Sequence, residues 1–100
     1  MNVLVHPDAT QELLASVAWY DERQPGLGAE LLSDAQRAVE QVAELPESAP
    51  RWPPGSKRGA RRRLLALFPF AVVYVTRADE IVVLAFAHAK RRPRYWASRE

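Results

Sequence analysis

The chain has 100 residues, 48% of them hydrophobic and 26% charged, which fits one globular domain over residues 1–100 and excludes a disordered chain. It has no cysteine, so disulfides and thiolate metal sites are excluded. The net charge of +2 hides a split: residues 1–50 carry two basic and nine acidic side chains, residues 51–100 twelve basic and three acidic. A basic half points to a polyanion or an acidic protein as partner; the plainer reading is that acidic helices neutralise a basic sheet within the molecule.

The opening residues lack the basic-then-apolar pattern of a secretory leader. The longest nearly uncharged run, residues 64–76, is interrupted by Pro69 and is too short to span a bilayer. No membrane association is expected, and the composition fits the reducing cytoplasm.

In chain order, Val3-Leu4-Val5 reads as a short strand stopped by Pro7. Asp8 stands at an expected helix N-cap, and Leu13, Val17 and Tyr20 recur at helical spacing, which predicts a helix over about 9–23. Gln24-Pro25-Gly26 breaks it. A second helix is expected over 28–45, with Leu31, Leu32, Ala35, Val39 and Val42 on its apolar stripe and Glu30, Asp34 and Glu40 on a solvated face. The short link makes the pair an antiparallel hairpin that serves as scaffold. Residues 46–59, rich in proline and glycine, read as a surface loop pinned to the core by Trp52.

Three strands are expected next, at 61–68, 70–76 and 80–88, with Pro69 forcing a kink and Asp79-Glu80 closing a hairpin. Period-two alternation puts Arg61 and Arg63 on one face of the first of these and Arg62, Leu64 and Phe68 on the other. It also groups Val82, Leu84, Phe86 and His88. The predicted fold is α+β in the order βααβββ, a two-helix antiparallel hairpin packed on a small, mostly antiparallel sheet.

Several segments resemble the RelE/ParE superfamily of toxins. They are Tyr20-Asp21-Glu22-Arg23 with Pro25-Gly26-Leu27-Gly28 between the helices, the run Phe68-Pro69-Phe70-Ala71-Val72-Val73-Tyr74, and the ending His88, Arg91, Pro93 and Trp96. The ending is similar to that of the ParE-like, plasmid-stabilisation branch. Phe70 stands where many relatives carry tyrosine, and no general-base carboxylate or lysine of the nuclease branch aligns.

The resemblance implies the toxin of a type II toxin–antitoxin system, a bacterial growth inhibitor neutralised by a cognate antitoxin. Operator DNA would then be reached only indirectly, through the antitoxin. It implies DNA gyrase as the target or, alternatively, ribosome-dependent cleavage of mRNA by a metal-independent endoribonuclease. No cofactor and no metal is expected: there is no HExxH, CxxC or glycine-rich phosphate loop.

The expected target-binding residues are Arg61, Arg63, His88, Arg91, Arg92, Tyr95 and Trp96. In the nuclease alternative, His88 acts as general acid while Arg63 and Arg91 stabilise phosphate charge. The competing structural readings are a hydrogen-bonded His88 at a strand end, an arginine-rich edge that blocks sheet pairing, and a Trp96 packed on the core.

Overall fold

A computed structural model describes residues 2–52, 56 and 58–100; Pro53, Pro54, Gly55 and Lys57 of the expected loop lie outside the described residues. The elements are β1 (Asn2–Val5), α1 (Pro7–Arg23), α2 (Leu27–Glu44), β2 (Arg61–Leu64), β3 (Phe70–Arg77) and β4 (Glu80–His88), followed by a 3₁₀ turn at Ala97–Arg99. The sheet runs in the order β1-β4-β3-β2, with β1 parallel to β4 and the other two pairings antiparallel. The βααβββ expectation therefore holds, with β1 as the flanking edge strand.

Local chemistry explains the helix ends. The α1 cap is His6 rather than the expected Asp8: Asp8 N–H donates to His6 Nδ1 at 3.1 Å, and Pro7 takes the first helical position. Proline suits that position because its φ is preset and its missing N–H would have had no intrahelical partner. Between the helices, Gly26 takes φ 90°. The N–H groups of Gly26 and Gly28 both donate to Asp21 Oδ1, each at 3.0 Å. A Cβ on Gly28 would lie 2.5 Å from Val17 O, so glycine is what lets the two helices close.

The helix side of the sheet holds the main core: Leu31, Ala35, Ala38 and Val42 of α2 meet Phe70, Val72, Tyr74, Ile81, Val83 and Phe86. Two expectations fail here. Asp34, placed by pattern on the solvated face, is 1% exposed. Its Oδ2 accepts from the N–H groups of Leu67 and Phe68 at 2.9 and 3.0 Å. The strand expected over 61–68 stops at Leu64; the next residues form a loop tied down by that carboxylate, and Leu67 is 71% exposed. Phe70 N–H turns back to Phe68 O at 2.8 Å across Pro69. The proline thus ends one strand before the next begins.

The register of β3 on β4 contains a bulge. Val73 pairs with Ala85 and Tyr74 with Val83, which leaves Leu84 as an extra residue. A bulge resets the alternation. Phe86 accordingly packs with Ile81 and Val83 on the helix side, while Val82, Leu84 and Ala85 face the other side. The grouping of Phe86 and His88 with Val82 and Leu84 is thereby corrected: His88 pairs with Phe70 and meets its ring edge-on, at the helix end of the sheet.

The second face is also covered. Trp96, 2% exposed, packs with Ala60, Val73, Val75, Val82 and Leu84, and Trp52 and Tyr95 flank it. The molecule therefore has a thin third layer made from its C-terminal tail and the loop before β2. Among the described residues, no helix is long and apolar enough to cross a membrane.

Candidate functional site

The end of β4 and the tail leave a groove of about 300 Å³. Arg62 and Trp52 form one side, His88, Arg91 and Arg92 the other, and Tyr95 and Trp96 part of the floor. The guanidinium of Arg62 lies 3.9 Å from the centroid of Trp52, and that of Arg91 lies 3.9 Å from the centroid of Tyr95. Both cations are stacked on aromatic faces, which holds long side chains in place and keeps their N–H edges available. The expected residues His88, Arg91, Arg92, Tyr95 and Trp96 thus converge.

Arg61 and Arg63 do not join them. Arg61 Nη1 donates to the carbonyls of Glu47 and Ala49 at 3.2 and 2.6 Å. Arg63 Nε donates to Gln41 Oε1 at 2.8 Å. The two arginines bind α2 and the chain after it onto β2, on the helix side. Beneath them Tyr74 donates its hydroxyl to Pro46 O at 2.6 Å. Burial raises the Tyr74 phenol above its ordinary 10.0, partly offset by the charges of Arg61 and Arg63. Arg62, their neighbour, is the arginine that faces the groove. The alternation that separates it is readable in sequence; which face becomes the site is not.

His88 is held at both ends of its reach. Lys90 N–H donates to its Nδ1 at 3.0 Å, and the ring stands edge-on to Phe70 with centroids 5.0 Å apart. An Nδ1 that accepts leaves the neutral ring's proton on Nε2. The structural reading of His88 is therefore satisfied, while Nε2 stays available as a donor to a ligand.

A feature absent from the sequence reading sets the position of Tyr95. β1 ends opposite Val83, so β4 has no neighbour on that side from Leu84 onward. An ion pair fills the gap. Glu12 of α1 meets Arg99 at 3.0 and 3.2 Å and accepts from Phe86 N–H at 3.2 Å, while Arg99 donates to Leu84 O at 3.0 Å. Burial works against the charged Arg99, but the hydrogen bond and charge of Glu12, with Tyr95 and Asp8, outweigh it, and its pKa is raised. Tyr95 lies between Arg91 and Arg99; burial first, then Glu12, push its phenol well above the ordinary range. Such a phenol stays protonated at neutral pH and is no base.

The groove can thus grip anions and planar groups. Its described lining has no carboxylate. Among the described lining residues proton abstraction would fall to His88, whose Nδ1 already accepts from Lys90 N–H.

No protein-family model matches the chain, and no curated protein matches it in sequence. In three dimensions it is similar to a chain of the chromosomal ParDE TA system from P. aeruginosa, with a TM-score of 0.70 and 24% identity over 90% of this chain and 97% of that one. That likeness establishes the fold, the RelE/ParE-like arrangement of two helices on a four-stranded mixed sheet.

Proposed function

We propose that this chain is the toxin of a type II toxin–antitoxin pair, of the ParE-like kind, that acts in the cytoplasm by binding DNA gyrase and is neutralised by a cognate antitoxin. The observation that carries this reading is the groove: stacked cations and rings suited to gripping a surface, with no carboxylate among its described lining residues to move a proton. The shared fold with the ParDE system supports the family. A gyrase poison needs a complementary surface and no acid–base pair.

For the antitoxin, the apolar groove between α1 and α2 is the natural seat. It holds about 410 Å³ and is lined by Val5, Leu13, Leu14, Leu32 and Val39. Leu14 is 54% exposed there and Val5 40%, so the groove presents adjoining apolar surface. An amphipathic antitoxin helix would bury this face, the helix-in-groove mode.

The nuclease alternative keeps one specific support, the meeting of His88 with Arg91 in a single groove. Purified protein assayed for gyrase supercoiling and for ribosome-dependent mRNA cleavage separates the two. Inhibition of supercoiling, lost when Arg91 and Arg92 are both changed to alanine, is the expected result. Cleavage of ribosome-bound mRNA with gyrase untouched would replace this reading with the alternative.

A further inference from the structure

We propose that a second surface, a trough along one flank of α1, binds a protein segment that carries an aromatic or large apolar side chain between carboxylates. Two adjoining depressions of about 310 and 400 Å³ form it. They share Ala15 and Ser16 on α1 and Phe70 and His88 on the sheet. One extends to Trp19 and Tyr20, the other to Glu12, Arg91 and Tyr95. From Glu12 to Trp19 the helix rises roughly 10 Å, room for about three residues of extended chain.

The walls suit a flat apolar group. Trp19, Tyr20, Phe70 and His88 form a continuous edge-to-face chain with centroid separations of 5.0, 6.3 and 5.0 Å. Ala15 and Ser16 are small enough to let a backbone approach. Trp19 is 50% exposed yet already fixed, because the Arg23 guanidinium lies 3.4 Å from its ring centroid and donates to Trp19 O at 2.9 Å. Trp and Arg dominate the energetics of protein interfaces. A pair ordered before contact loses little freedom on binding.

Charge selects the rest of the partner. Arg91 lines one end, and at the other Arg23, outside the lining itself, is stacked on Trp19; Arg23 meets the exposed Glu22 only at 4.0 Å. Between them Glu12 is neutralised by Arg99. A carboxylate at each end of a short segment would meet a cation. A nucleic acid fits less well, since its evenly spaced phosphates would run along a helix that also bears Asp8, Asp21 and Glu22. The trough is separate from the α1–α2 groove and from the sheet-face groove except where it shares His88, Phe70, Arg91 and Tyr95 with the latter. The inference does not depend on the toxin reading.

The test uses the full chain, isotopically labelled, titrated in NMR with a blocked peptide of one phenylalanine between paired aspartates. Saturable shifts are expected at the Trp19 indole N–H, at the Ala15 and Ser16 amides and at His88. Trp19→Ala and Arg23→Glu, with folding checked by circular dichroism, should each weaken binding about tenfold or more, the loss of a significant interface residue. The proposal is overturned if a lysine-flanked peptide binds as well, or if single-stranded RNA moves the same resonances at lower concentration. It is equally overturned if shifts map to the α1–α2 groove, or if none saturates by about 1 mM peptide.

Discussion

Asp34→Ala removes one carboxylate from the middle of α2 and should free the loop between β2 and β3. Two N–H groups, of Leu67 and Phe68, donate to its Oδ2 at 2.9 and 3.0 Å. Hydrogen bonds to a charged group contribute about 1.5–3 kcal/mol each, which sets an upper range of roughly 3–6 kcal/mol. Two features reduce it. Water reaches the loop, because Leu67 is 71% exposed, and Oδ1 has no hydrogen bond and only a 3.6 Å contact with Arg37, so the buried charge is incompletely compensated. A net loss of about 2–3 kcal/mol follows, a fall in Tm of roughly 8–20 °C for a domain of this size. Asp34→Asn keeps an acceptor without the charge and should lose about half as much. Urea unfolding gives the free energies, and hydrogen exchange should show the Leu67 and Phe68 amides losing more protection than the global change explains. An alanine variant within about 0.5 kcal/mol of the parent, or with Leu67 N–H still protected, would refute the clamp.

Other substitutions and conditions test the remaining arguments. Gly28→Ala, although alanine favours helix, should destabilise by about 1–3 kcal/mol through overpacking, because its Cβ would press on Val17 O and Val17 Cγ1; thermal melting will show whether the sign is right. Burial raises the phenols of Tyr74 and Tyr95 above 10.0, Tyr95 with help from Glu12. The unfolded chain therefore releases these protons first: their contribution to stability is complete below about pH 10 and declines as pH rises through the folded values. Tyr74→Phe should flatten that alkaline decline in pH-dependent melts, while losing about 1 kcal/mol at neutral pH with the bond to Pro46 O. His88→Gln should leave gyrase inhibition within a few-fold; a drop of roughly 10²–10⁴ in mRNA cleavage instead would mark His88 as a general acid.

Much of the fold was legible because its signals are local. The break at Pro25-Gly26, the apolar stripe of α2 and the turn from Arg77 to Glu80 each depend on residues close in sequence, although the turn closes on Ala78-Asp79, one residue before the expected Asp79-Glu80. The basic, aromatic ending was legible too, and with it five of the residues that meet in the groove. The misses share one cause, contact between distant parts of the chain. Asp34 sits where a helix pattern reads solvent, and its partners are 33 and 34 residues away. Glu12 and Arg99, 87 apart, each look like ordinary surface charges. The bulge at Leu84 depends on how β4 aligns with β3, and a continuous apolar run carries no mark of where an extra residue will fall.

What the sequence determined by itself was the set of elements, their order and the chemical character of the basic half, since periodicity, proline, glycine and charge act over a few residues. Tertiary structure decided which arginine faces the groove, which side of the sheet His88 and Phe86 occupy, and that Trp96 closes the second face. Strand alternation fixes only that neighbours point to opposite sides; register, bulges and the packing of the tail decide which side is buried, which is stapled and which is left open.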